Sequence, residues 1–208
     1  MAKSYSHEKV QGVCLFTTNS KTGCPSWAIS PKSCSGAKGC AVCKKCYGKK
    51  GRFGMPNVIN ALNQRYDWFN KTTPKQIVKT IVDELDHFGE PFFRTHVVGD
   101  FQNVRSIKIW NDIVKAASDV RFWFPTKAYR VKAMLPALRK LNKEQNVAVR
   151  PSAADFDDLA PSIQGLAEGA TQYAKGSKVP ENHFDCPGEC KDCRVCWNQD
   201  TKVAYHFH

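Results

Sequence analysis

The apolar positions of this chain change period partway along it. Residues 57–70 (NVINALNQRYDWFN) set Val58, Leu62, Tyr66 and Phe69 on one helical face. A second helix opens at a capping box, with Thr73 as N-cap, Pro74 in the first turn and Gln76 two residues later. Its apolar residues Ile77, Val78, Ile81, Val82, Leu85 and Phe88 keep the helical period, and Gly89 supplies the stop. From there short strand-like runs alternate with helical ones. Phe92–Val98 reads as a strand ending at Gly99-Asp100, and 106–118 as a helix with Ile107, Trp110, Ile113, Val114 and Ala117 inward. Val120–Phe124 reads as a strand stopped by Pro125, and 131–142 as a helix with Pro136 in its first turn. Val147–Val149 is a short strand stopped by Pro151.

Strand starts at 92, 120 and 146 recur at intervals of 28 and 26 residues, the spacing of βα units in a parallel sheet. Val10–Thr17 and Lys202–Phe207 are expected to add a first and a last strand. The chain has 208 residues, short of the roughly 250 typical of a full eight-fold barrel. The expected fold is therefore a single α/β domain over residues 1–208. It would be a partial, open (βα) barrel of about five or six units carrying two cysteine-rich loops, 19–55 and 180–200.

No apolar run approaches the roughly 18 residues of a membrane span. The polar segment Met1–Gly12 lacks the apolar core of a secretory signal, so a reducing cytoplasm is the expected location. Charge adds a further constraint. The net charge is +12, and residues 1–55 hold ten Lys/Arg against one acid, Glu8; the remainder holds 21 basic and 18 acidic residues. Such a field attracts nucleic acid or another anionic partner, and it also offsets the negative charge of metal-bound thiolates.

Ten cysteines are too many for an intracellular chain to carry incidentally. Cys34, Cys40, Cys43 and Cys46 form one quartet and Cys186, Cys190, Cys193 and Cys196 another. Disulfides are the alternative, disfavoured by compartment and by strain at two-residue gaps. Structural zinc uses paired Cys-x2-Cys knuckles set well apart, whereas three cysteines within seven residues suit an iron-sulfur cluster. Iron-sulfur is the favoured occupant and zinc the alternative metal, with two separate sites or one shared site both open. Cys14 reads as a buried small hydrophobe, and Cys24 as a substitute ligand.

Several residues carry a resemblance to a known family. They are Cys40-x2-Cys43-x2-Cys46-Tyr47-Gly48 with Lys50-Gly51-Arg52-Phe53, then Arg94 to Phe101, Trp110, Phe122-Trp123-Phe124 with Thr126 and Arg130, Cys186 to Trp197, and the closing Val203-Ala204-Tyr205. In this order the chain resembles the gene-product-88-like family of phage proteins, themselves similar to radical S-adenosylmethionine (SAM) enzymes. The resemblance implies a [4Fe-4S] cluster on three cysteines with one iron open to SAM. It implies that Gly99-Asp100 receives the SAM amine and that Tyr47 lies beside the cofactor. The chain departs from the radical SAM pattern in two ways. The Cys-x3-Cys-x2-Cys spacing occurs at Cys186, Cys190 and Cys193 rather than in the first quartet, and a fourth cysteine in each group would saturate the cluster.

His96, Asp100 and Lys127 are the candidate catalytic groups, His96 as an acid-base residue or as a core histidine. Lys127, Tyr129, Arg130, Arg150 and Ser152 follow strand ends and would form an anion-binding rim or a solvated loop surface. Asp155, Asp157 and Asp158 read as a cap, His183 as a substitute ligand, and His206 with His208 as a terminal pair. Three functions fit: radical-SAM-like chemistry on an anionic nucleic-acid or peptide substrate with an external reductant; a non-catalytic iron-sulfur or zinc protein binding nucleic acid or protein; and an electron-transfer module.

Overall fold

The computed structural model describes residues 6–19, 21–174 and 176–206. The chain enters through a hairpin, β1 (Lys9–Val10) and β2 (Val13–Cys14), paired Val10 to Val13. Its two-residue loop, Gln11-Gly12, has positive φ at both positions, as a tight hairpin turn demands. The run Val10–Thr17 is therefore a hairpin leading into β3 (Thr17–Asn19) rather than one strand. The buried carboxylate of Glu84 holds this entry in place by accepting from the Ser6 hydroxyl and the backbone N–H groups of His7 and Glu8.

The main sheet has eight strands in the order β3-β4-β5-β6-β7-β8-β10-β9. They are β4 (Cys24–Ser26), β5 (Phe92–Arg94), β6 (Arg121–Thr126), β7 (Val147–Phe156), β8 (Ala170–Tyr173), β9 (Phe184–Asp185) and β10 (Val203–His206). Only β3–β4 is antiparallel; the other pairs are parallel. The segment 19–55 thus contributes strand β4 and the short helix α1 (Ala41–Lys44) to the fold.

Three helical crossovers follow. Helices α2 (Pro56–Lys71) and α3 (Pro74–Phe88) lead to β5, α4 (Val104–Ala116) links β5 to β6, and α5 (Leu135–Leu141) links β6 to β7. The caps explain their limits: the Thr73 hydroxyl accepts from Gln76 N–H, Asn103 and Ser106 form a reciprocal box, and Pro136 sits in the first turn of α5. These helices cover one face of the sheet. Phe93, Phe122, Phe124, Val147 and Val149 meet Ile77, Ile81, Trp110, Ile113 and Leu138 there, each large side chain contributing about 1.5–3 kcal/mol by burial.

Among the described residues no pairing joins β9 back to β3, so the architecture is an open, mostly parallel α/β sheet rather than the expected partial barrel. The crossover helices stop at β7, and the helical turn that follows, Cys190–Cys193, lies in the second cysteine loop. Residues 157–169 contain Pro161, Gly165 and Gly169 and form no helix, so three crossovers replace the expected five or six units. Two strands run through the prolines expected to stop them: Pro125 pairs with Arg150 and Thr126 with Pro151. Each proline removes one donor near a strand end, and the register survives, loosening only between Ser152 and Phe156. In contrast, β5 ends at Arg94 because His96 takes a positive φ of 49° and turns the chain out of the sheet. No helix among the described residues is long and apolar enough to cross a membrane.

Candidate functional site

The parallel strands end along one edge, and the first cysteine loop lies across it. Three contacts seat the loop there. Ser33 Oγ accepts from Asp100 N–H at 2.9 Å, and the Ser35 hydroxyl donates to the Phe101 carbonyl at 2.7 Å. Arg130 Nη1 donates to the Gly36 carbonyl at 2.6 Å. A Cβ on Gly99 would stand 2.7 Å from Ser33 Oγ and 2.8 Å from the Ile29 carbonyl, so only glycine admits this approach. Helix α1 packs over β7. The carboxyl edge of a parallel sheet is where α/β folds place ligands.

Asp100 is the hinge of this edge. Its Oδ1 accepts from Phe101 N–H at 2.7 Å and the Thr126 hydroxyl at 2.6 Å, and its Oδ2 accepts from Lys127 N–H at 2.7 Å. The carboxylate is buried and ties the end of β5 to the end of β6. His96 Nδ1 lies 3.8 Å from Asp100 Oδ1, and the ring packs edge-on against Phe101 at 4.5 Å. Burial pushes the imidazole pKa down, against Asp100. His96 is thus a neutral histidine in the helix-side core, reached by a strained backbone turn. Burial also pushes the Lys127 ammonium pKa down, while Asp100, Cys46 and Cys34 pull it up. Lys127 faces the first quartet as a cation, as does Lys49.

Within that quartet, Cys40 and Cys43 are joined by a disulfide, and Cys34 and Cys46 are free thiols. Two-residue gaps were expected to disfavour pairing, yet Cys40 and Cys43 pair because the first turn of α1 brings residues three apart onto one face, where Cys43 N–H meets Cys40 Sγ at 3.0 Å. Burial, with Asp100 and Cys46 nearby, pushes the Cys34 thiol up to about 12. At pH 8 its thiolate fraction is then about one in ten thousand. Alkylation of Cys34 in metal-free protein should run about a thousandfold slower than that of an ordinary thiol, gaining about tenfold per pH unit, which peptide mass spectrometry can follow. Because the folded value lies above the ordinary 9.0, the stability that Cys34 contributes is complete below pH 9 and fades as pH rises towards 12.

The second loop packs on the sheet face opposite the crossover helices. Cys24, Trp123, Cys196, Trp197 and Val203 form an apolar cluster with Phe92, Cys186 and Cys190 against it. Trp197 Nε1 donates to the Phe93 carbonyl at 3.0 Å. Arg150, fully buried in β7, donates to five carbonyls: Glu168, Gly169 and Thr201 through Nη1, and Cys196 and Asn198 through Nη2. Arg194 takes a positive φ and donates to the Thr22 carbonyl at 2.8 Å, docking the loop on the β3–β4 turn. Of the expected rim, Arg150 and Arg130 hold loops together, and the Tyr129 hydroxyl donates to the Ser152 carbonyl.

The four thiols of this loop act on one another electrostatically. Burial raises Cys186, and Cys190 and Cys193 raise it further. Cys196 is raised to about 11 by burial, against a hydrogen bond to the Tyr205 hydroxyl at 3.2 Å, with Cys186 and Cys190 adding to the rise. Among the described residues, however, no three His, Cys, Asp or Glu side chains stand in ready-made ligand geometry. The donor set is nonetheless soft sulfur throughout, the chemistry that suits iron-sulfur clusters and zinc. Cys24 lies beside Cys190 in the same cluster, whereas Cys14 sits half-buried at the hairpin.

The remaining candidates are occupied locally. His183 Nε2 accepts from Ala160 N–H at 3.1 Å, and His206 Nε2 lies 2.7 Å from Asp185 Oδ1. His208 and Phe207 lie outside the described residues. Asp157 and Asp158 accept from the N–H groups of Ala174 and Leu159, capping a turn rather than a helix. Sequence reasoning missed Arg94. It lies over the Trp123 ring at 4.7 Å, offsets part of the rise that burial imposes on the Cys24 and Cys190 thiols, and acts on Tyr47 of the first loop. Its Nε is buried without a partner, and its strand position, opposite in facing to Phe93, was the available signal.

Comparison with known proteins agrees with the resemblance at family level. The Gene 88 protein of Mycobacterium phage D29 is 25% identical over 153 residues, which cover 64% of this chain and 62% of the relative. No solved structure matches. The Gene product 88 family model matches residues 3–175, which includes the first cysteine quartet and stops short of the second. With most of its length so matched, the chain belongs to the Gene product 88 family.

Proposed function

We propose that this protein binds iron-sulfur clusters through its two cysteine loops and presents its basic N-terminal quarter to an anionic partner. The observation that carries the reading is the placement of the quartets. One crosses the carboxyl edge of the parallel strands beside Lys127. The other is packed by Trp197 and Arg150 on the face opposite the crossover helices. Cys34 and Cys196, whose thiol pKa values burial raises, stay protonated without metal and would release their protons on ligation. Cys34, Cys46, Cys40 and Cys43 would hold the first cluster once the Cys40–Cys43 disulfide has taken two electrons and two protons from a thiol reductant. Cys186, Cys190, Cys193 and Cys196 would hold the second. A bound cluster supplies one-electron chemistry; the chain's own part is to shield the sulfurs and set Lys127 and Arg94 against their charge.

SAM-dependent radical chemistry is the narrower form of this reading, with Tyr47 and Gly99 beside the first loop. Asp100 serves it poorly as an amine receptor, since three of its roughly four acceptor positions are filled. A non-catalytic role for saturated sites, with zinc in place of iron, is the second reading; it is favoured by the packing of Cys196 and Trp197 into the apolar cluster with Cys186 and Cys190 against it.

Anaerobic purification under a thiol reductant, followed by iron, sulfide and zinc analysis, tests all three. Brown protein with about four iron and four sulfide per cluster is the expected result. Colourless protein holding zinc would replace iron with zinc, and metal-free protein would end the metal reading. Cys34→Ala separates the first two readings. Retained iron, with a spin-resonance signal that shifts on SAM addition, supports SAM chemistry, and loss of the cluster excludes an open iron.

A further inference from the structure

A cleft of about 240 Å³ opens between the first cysteine loop and α2. Phe53, Ile59 and Leu62 line it with apolar surface, Lys32 and Lys49 stand at it as cations, and Asn63 adds an amide. The volume lies below the roughly 300 Å³ at which small-molecule pockets begin, which suits one planar ring rather than a larger ligand. Next to it Tyr47 is 46% exposed, its hydroxyl donating to the Val97 carbonyl and its ring meeting Phe53 edge-on at 5.7 Å. Ile59 and Met55 are also exposed, at 44% and 51%. Lys49, Lys50 and Arg52 surround this apolar surface, and among the described residues none of them pairs with an acid. The sequence order Tyr-Gly-Lys-Lys-Gly-Arg-Phe gives no sign of this grouping. The two short turns over Tyr47–Lys49 and Gly51–Gly54 create it by bringing Tyr47 back against Phe53.

We propose that this cleft takes an unpaired nucleobase of a single-stranded nucleic acid, with the neighbouring phosphates on Lys49, Lys50 and Arg52. The inference deepens the anionic-partner part of the reading above and requires no metal in either loop. Exposed aromatic faces beside unpaired cations are the features that bind a single strand, because every base offers a face to stack and every linkage a charge to neutralise. A duplex keeps its base faces stacked and leaves the slot empty. An acidic polypeptide would satisfy the lysines but has no ring for the slot.

Fluorescence anisotropy on the full-length, anaerobically purified protein tests this, with metal content measured on the same sample. The probes are labelled oligothymidylate, oligouridylate and a duplex of matched length. Both single strands are expected to bind more tightly than the duplex, with an affinity that falls steeply with salt. Lys49→Glu should weaken binding about tenfold or more and flatten the salt dependence, whereas Phe53→Ala should weaken it about tenfold with the salt slope unchanged. Ile59→Asp, at an exposed helix position that tolerates polarity, should abolish binding and guards against misfolding of the Phe53 variant. Equal affinity for the duplex, full binding by both Phe53→Ala and Ile59→Asp, or displacement by polyglutamate as effective as by unlabelled strand would overturn the proposal. Strand binding by metal-free protein would uphold the slot while removing the cluster reading, and loaded protein without strand binding would do the reverse.

Discussion

Arg150→Met is expected to destabilise the protein by about 4 kcal/mol or more. Arg150 is fully buried, and its guanidinium donates to the Glu168, Thr201, Cys196 and Asn198 carbonyls and shares that of Gly169 with Val203 N–H. Methionine fills much of the volume but offers no donor. Each buried carbonyl left unsatisfied costs about 1–3 kcal/mol, with the sum reduced where several share one donor. For a chain of this size 4 kcal/mol lowers the melting temperature by about 8–16 °C, readable by calorimetry. The damage should be local first. Arg150 ties β7 to the second cysteine loop, alongside the Gln199 amide on the Val147 carbonyl, so trypsin should cut at Lys191 or Arg194 before the helices open. Arg150→Lys should fall between the two, because an ammonium has three donors and no planar fork. A melting temperature within about 2 °C of the parent would mean that the sulfurs, not the guanidinium, hold the loop.

Asp100→Ala is the second large effect, at about 3 kcal/mol. It strips acceptors from Phe101 N–H, the Thr126 hydroxyl and Lys127 N–H at once, and all three lie at the junction of β5, β6 and the first cysteine loop. Asp100→Asn keeps one carboxamide oxygen for two of these bonds and turns an N–H₂ toward Lys127 N–H, so about 1–2 kcal/mol is expected. Chemical denaturation of the metal-free protein measures both. If Asp100 instead serves a ligand amine and does not tie the strands, both variants would unfold with the parent.

The two residues illustrate which features the sequence displays. Helices α2 to α4 were legible, because a single helix writes its buried face as a local period and, for α3, its ends as caps at Thr73 and Gly89; the Asn103 box that starts α4 two residues before the expected 106 was not read. Both quartets were legible as soft-metal candidates because cysteine clustering is local. The course of β6 and β7 past Pro125 and Pro151 was not legible, since a missing N–H matters only relative to which neighbour it would have faced. The shortened β5 was also not legible, because the turn at His96 is imposed by packing on Phe101 and Phe124. A strand-facing pattern cannot reveal that Asp100 is bound on both oxygens.

Taken alone, the order of residues determined that this is an α/β chain with a parallel core and two soft-sulfur loops, one of them strongly basic. Periodicity, capping and cysteine spacing are short-range properties, and each is complete within a few turns of chain. Tertiary structure decided that the sheet stays open, that the second loop packs on the face opposite the crossover helices, and that Asp100 and Arg150 tie strands and loops together. It also decided that Tyr47 meets Phe53 beside unpaired lysines. Those outcomes depend on which distant carbonyl, carboxylate or ring comes within a few ångströms, and only the folded chain sets those distances.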